Sequence, residues 1–164
     1  MNIESTIKSQ ALGVIPVVYE DVDKIQDLGV RTIQHVHAYC FYQNKIVIVW
    51  SPNKNCWTLP GGGIEVGETI EDAVIREVEE ESNMKVLKQM LLGVQDIFEG
   101  ENIVSQTRSL CIVEPHGPFV FDPDGDITQI KLVDPSELKQ YVDWGEIGDH
   151  LLERALKMVR KMET

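Results

Sequence analysis

Glu77, Glu80 and Glu81 stand three and four residues apart inside REVEEESN, the run from Arg76 to Asn83, which holds a single positive charge. Like charges at that spacing repel on a helix, so the run needs either open solvent or a cation. A helix turns about 100° per residue. With Glu77 set at zero, Glu80 falls at about −60° and Glu81 at about +40°, so the three share a sector about 100° wide. Ile70, Ala73, Val74 and Val78 fall between about −40° and +100° by the same count. The three glutamates therefore lie on the stripe that should be apolar, while Asp72 and Glu79 point away at about 200–220°. Carboxylates crowded at a partly buried place raise one another's pKa unless a cation holds them ionised. Hard divalent ions such as Mg2+ take oxygen ligands and keep waters and substrate phosphates in their shell. On periodicity alone, a metal site and a solvated acidic helix end both stand.

The approach to the helix favours the metal. Pro60-Gly61-Gly62-Gly63 reads as a turn whose bare backbone lets a ligand come close and leaves a carbonyl free to face an ion. Arg76 follows Glu68 by eight residues, a pair expected to brace this loop against the helix.

The elements around this stretch follow from local pattern. Thr69, with Asp72 three residues on, makes a start resembling a capping box, and Asn83 suits the left-handed end of a helix over about 69–82. GVIPVVYE, VRTIQHVHAYCFY and IVIVW read as strands, the last two joined by a hairpin turn at Gln43–Lys45. CWTLP predicts a short strand, and two longer ones are expected within 84–98 and 105–113. DPDGD is a turn, ITQIKLV a further strand and DPSELKQYV a short helix with Pro135 in its first turn. Ile147, Leu151, Leu152, Ala155, Leu156 and Val159 have the spacing of an amphipathic helix over 146–162. Strands on both sides of a mid-chain helix argue for a mixed α/β domain. The 164 residues are most simply one domain, with about 1–29 as an N-terminal extension or added strand.

The net charge is −12, and the segment from Gly62 to Met84 holds eight acidic residues against Arg76 alone, more than half of that excess. This balance disfavours DNA or RNA polymers, whose binding needs clustered Lys and Arg, and leaves small phosphorylated ligands bridged by a metal. Cys40, Cys56 and Cys111 lack metal-ligand spacing and read as reduced thiols. No targeting leader and no membrane-spanning apolar run is evident, so the expected address is cytoplasmic.

Together these residues resemble the Nudix hydrolase box, G-x5-E-x7-R-E-U-x-E-E-x-G-U, where U is a bulky aliphatic residue. Gly62, Glu68, Arg76, Glu77, Val78, Glu80, Glu81 and Met84 fall at matching positions, and Asn83 stands where the box has glycine. Asparagine tolerates left-handed geometry next best, so little functional change is expected. LPGGGIEVGE and DGDITQIKLVDPSEL are similar to the family's lead into the box and to its late strand and helix. The resemblance implies a Nudix-type α/β/α sandwich with a mixed β-sheet. It also implies Mg2+- or Mn2+-dependent cleavage of the pyrophosphate linkage of a nucleoside diphosphate joined to another moiety.

Carried over, Glu80 and Glu81 are metal ligands, Glu77 is a ligand or orients the attacking water, and the carbonyl of Gly61 or Gly62 completes the shell. A further carboxylate beyond the box is expected as ligand or general base. Asp126 is the choice, with Asp122, Asp124, Glu99 and Glu101 behind it. The resemblance leaves room for a homodimer. The rival reading is a Nudix-fold nucleotide sensor without turnover, which the retained glutamates disfavour; an isomerase acting on isopentenyl diphosphate on the same fold lacks a placed Cys–Glu pair. No substrate signature stands out. Trp57, Phe98, Phe119 and Phe121 read as core before they read as base-stacking groups, and His35 and His37 as ordinary strand residues sharing one face.

Overall fold

The computed structural model describes residues 1–118 and 127–163. Its strands are β1 (Asn2–Ser9), β2 (Gly13–Asp21), β3 (Ile33–Tyr42), β4 (Lys45–Ser51), β5 (Cys56–Thr58), β6 (Gly61–Gly63), β7 (Met84–Glu99), β8 (Asn102–Pro115) and β9 (Gln129–Val133). The helices are α1 (Ile70–Ser82) and α2 (Gly145–Met162), with 3-10 turns at Ile25–Leu28 and Pro135–Gln140. The path of the sheet runs β1-β2-β7-β8-β3-β4-β5, with β6 paired to β3 and β9 to β4. β3 and β8 are parallel and their neighbours antiparallel, so the sheet is mixed.

Side-chain alternation along β3 sorts the core into two layers. Tyr39 and Phe41 join Ile46, Ile48 and Leu110 in a cluster under Ile147, Leu151 and Ala155 of α2. Val36, Ala38 and Cys40 join Val47 and Val113 against Ala73, Val74 and Val78 of α1. β4 is buried on both faces, which is why its sequence KIVIVWS is a continuous apolar run. The helices thus cover opposite faces of one sheet, the α/β/α arrangement expected. Cys40 and Cys111, opposite each other on β3 and β8, are buried free thiols, and Cys56 is exposed and free. Among the described residues no helix is long and apolar enough to cross a membrane.

Two elements differ from their sequence reading. DPSELKQYV forms a 3-10 turn, N-capped by Asp134 through Ser136, in place of a short α-helix. The glycine run is an edge strand rather than a turn, because its backbone pairs with His35–His37 of β3. At its first two positions only a residue without a Cβ fits. A Cβ on Gly61 would meet Val36 O and the His37 ring, and one on Gly62 would lie 2.5 Å from Glu77 Oε1.

Candidate active site

Helix α1 begins where its sequence said it should. Thr69 Oγ1 accepts from the Asp72 amide at 3.1 Å, and Asn83 closes the helix in left-handed geometry at φ 53°. Between these caps the helix buries the stripe carrying Ala73, Val74 and Val78. Glu77 and Glu81 continue that stripe and are 8% and 6% exposed, Glu80 lies at its margin, and Glu79 is exposed. The angular argument thus holds in three dimensions, and acidic side chains occupy a buried face.

The phase of the β3–β6 ladder decides what that face meets. Ala38 donates to Pro60 O at 2.9 Å and Ile64 to Gln34 O at 3.0 Å. Gly62, opposite Val36, is in the same phase, so its N–H and C=O point into the ladder. Gly61 and Gly63 turn their polar groups the other way. There the Gly61 amide donates to Glu81 Oε1 at 2.8 Å, and Gly63 O accepts from Arg76 Nη2 at 2.9 Å. Of the two glycine carbonyls, that of Gly61 is the one directed away from β3.

Arg76 ties the remaining groups together. Its Nε and Nη2 hold the two oxygens of Glu68 at 2.7 and 2.8 Å, a bidentate pair. Its Nη1 reaches further than the sequence implied, to Glu77 Oε1 at 2.9 Å and Glu80 Oε2 at 3.3 Å. Glu65 stands 3.8 Å from the same atom. Four carboxylates therefore share one guanidinium.

The arginine's hydrogen bonds, aided by that from the Glu65 amide, push the Glu68 carboxyl down to about 2 from 4.5. A depressed carboxyl contributes stability that is complete above its unfolded value and is lost as pH falls through its folded one. The unfolding midpoint of the wild-type protein is therefore expected to exceed that of Glu68→Gln above about pH 5, and the gap to close between pH 4.5 and about 2. A gap that persists at pH 2 would mean the pair does not supply it.

This donor set suits a hard divalent ion. It is all oxygen and strongly acidic, with a cradle at Gly62 that any side chain would fill. Among the described residues no three carboxylate, imidazole or thiol groups stand close enough to enclose an ion by themselves. Asp122, Asp124, Asp126, Phe119 and Phe121 lie outside the described residues. Glu99 and Glu101 are exposed at the β7–β8 hairpin. Trp57 packs edge-on against Trp50 and beside the core, with Phe98 half-buried.

The sequence reading missed Arg108, buried on β8 beside His37. The signal was present in TRSLCIV, where alternation places Arg108 on the same face as apolar Leu110 and Ile112.

Comparison with known proteins agrees with this arrangement. A family model for the NUDIX domain matches residues 32–154, well over half of the chain. An uncharacterized Nudix hydrolase of Bacillus subtilis (strain 168), YvcI, is 37% identical over 72 residues, which are 43% of this chain and 46% of that protein. An ADP-ribose pyrophosphatase of Methanocaldococcus jannaschii is 46% identical over 54 residues, 31% of this chain and 32% of that one. The matched regions thus span less than half the length of these curated relatives. Among solved structures, the Bacillus subtilis pyrophosphohydrolase BsRppH superposes with a TM-score of 0.73, covering 94% of this chain and 97% of that one at 16% identity, a likeness of fold. With the family model spanning the glycine strand and the acidic helix, the chain belongs to the Nudix family.

Proposed function

We propose that this chain is a pyrophosphohydrolase that uses Mg2+ or Mn2+ to cleave the pyrophosphate linkage of a nucleoside diphosphate joined to another moiety. The observation that carries the reading is the burial of Glu77 and Glu81 on the apolar stripe of α1, against the glycine edge strand. The names of relatives, an ADP-ribose pyrophosphatase and an RNA pyrophosphohydrolase, support the reaction class. A bound divalent ion would neutralise pyrophosphate oxygens and lower the pKa of a water. Glu80 and Glu81 would hold it, with the Gly61 carbonyl beside them. Glu77, fixed by Arg76 and packed against Gly62, would hold the ion or orient the attacking water. Asp126 is proposed as the general base that takes the water's proton. Glu68 and Arg76 set the height of the loop over the helix and touch no reacting atom in this scheme.

We read the whole chain as one unit, since β1 extends the same sheet through β2. Its charge of −12 favours small nucleotide-type substrates over nucleic-acid polymers; the three free thiols suit a cytoplasmic setting, and a homodimer is compatible with this scheme. The test is a panel of nucleoside triphosphates, oxidised nucleotides, nucleotide sugars, ADP-ribose and dinucleoside polyphosphates, assayed with Mg2+ and again with EDTA. Turnover of at least one member that EDTA abolishes is expected. Tight binding with no turnover of any member would make the chain a nucleotide sensor.

A further inference from the structure

On the face of the sheet opposite α1 lies a buried polar cluster around Arg108 that the carboxylate site does not use. Arg108 is 4% exposed, yet among the described residues no carboxylate pairs with it. Its Nη1 meets His37 Nδ1 at 3.3 Å and the Thr107 carbonyl at 3.2 Å. Its Nη2 meets the amide oxygens of Gln95 at 3.3 Å and Gln106 at 3.1 Å. Trp144 covers the guanidinium, 4.9 Å from ring centroid to Cζ. Among the described residues the buried Nε–H has no acceptor, and the buried His35 Nδ1 has no partner.

A packed-core explanation accounts poorly for this. Neutral acceptors do not replace the hydration of a full charge, and buried charges are ordinarily paired. The mismatch shows in the guanidinium's own acidity, since burial pushes Arg108 down to about 10 from 12.5. It remains a cation at neutral pH, held in an apolar neighbourhood with an open donor. His37 is likewise kept neutral by burial and by Arg108 itself. The cluster borders solvent, because His35, His37, Gln106 and Trp144 are each only half-buried.

Its position links it to the candidate active site. The His37 ring lies where a Gly61 Cβ would be, and the Gly61 amide holds Glu81. β6, an edge strand paired to β3, therefore lies between the carboxylates on one side and the Arg108 cluster on the other.

We propose that Arg108, with His37 and the two glutamine amides, forms an oxyanion subsite that receives a phosphoryl group of the substrate as it passes over the β6 edge. An oxyanion would accept from the open Nε and draw Nη2 into a bidentate pair, and the glutamine amides can turn to present their N–H2 groups. That the oxyanion is a substrate phosphoryl rests on the pyrophosphohydrolase reading. That the Arg108 cluster binds an oxyanion does not.

The experiment separates the two. Inorganic phosphate is titrated into the full chain in EDTA, followed by the Arg108 Nε–H cross-peak in a 1H–15N spectrum and by the thermal midpoint. The cross-peak, assigned by its loss in Arg108→Lys, is expected to shift saturably, and the midpoint to rise with phosphate by mass action. Arg108→Met is expected to bind phosphate about tenfold more weakly or worse, whereas Glu80→Gln keeps the wild-type response in EDTA while losing turnover. A wild-type cross-peak unmoved by phosphate overturns the subsite without need of any variant. So does an equal rise of the midpoint in Arg108→Met, since it reports general salt exclusion. Either result leaves the hydrolase reading intact, and a panel without turnover beside a saturable phosphate shift would leave only the subsite.

Discussion

Glu80→Gln is expected to lower kcat by about 10²–10³-fold or more in Mg2+ while the protein stays folded. A metal ion supplies several kcal/mol of charge stabilisation to the transition state, and each ~1.4 kcal/mol is a tenfold change in rate. The glutamine keeps the shape of the side chain and removes the negative charge that a hard cation requires. Glu80 is also the best of the three for this test. Its side chain is 26% exposed against 10% for Glu77, so the swap disturbs little packing. Arg76 retains its bidentate hold on Glu68 and its bond to Glu77 after the change. The comparison is Glu79→Gln, one residue away and exposed on the far side of α1, which is expected to match the wild type. Steady-state rates over a range of Mg2+, with melting curves beside them, make the measurement. A Glu80→Gln enzyme within about threefold of wild type would remove this residue from the metal site.

The acidic helix could be read in the chain because its information is local. The 3.6-residue period, the Thr69 cap and the Asn83 stop all lie within fifteen residues, and each corresponds to a bond in the structure. The glycine run misled for the opposite reason. Three glycines satisfy a tight turn and an edge strand equally well. Only β3, more than twenty residues earlier, and Glu77 on the following helix decide between them. Arg108 was hidden by distance as well, since its bond to His37 joins residues 71 apart through a parallel pairing whose register no local pattern encodes. The reach of Arg76 to Glu77 and Glu80 lay between these cases. The i,i+4 spacing to Glu80 was available, but the competition among four carboxylates depends on where β6 sets the loop.

Gly62→Ala is expected to cost about 10²-fold in kcat and about 1–3 kcal/mol in stability. The added methyl would lie 2.5 Å from Glu77 Oε1 and 2.7 Å from its carboxyl carbon, closer than real atoms approach. Neither side yields easily. β6 is pinned by the ladder to β3 at Gly62 and by the flanking bonds Ala38–Pro60 and Gln34–Ile64. Glu77 is buried and held by Arg76. The strain therefore moves a carboxylate proposed to hold the ion or the attacking water, and a misplacement of about 1 Å at such a group costs about 10²-fold. Gly63→Ala serves as the control, because its methyl would find only Gln34 O at 3.9 Å, ordinary contact. A double-mutant cycle isolates the cause. Glu77→Asp withdraws the carboxylate by one methylene, so Gly62→Ala should destabilise the Glu77→Asp protein less than the wild type, with a coupling of about 0.5–3 kcal/mol. Additive costs in denaturant unfolding would show that the methyl meets something other than Glu77, and the glycine would then serve the ladder rather than the site.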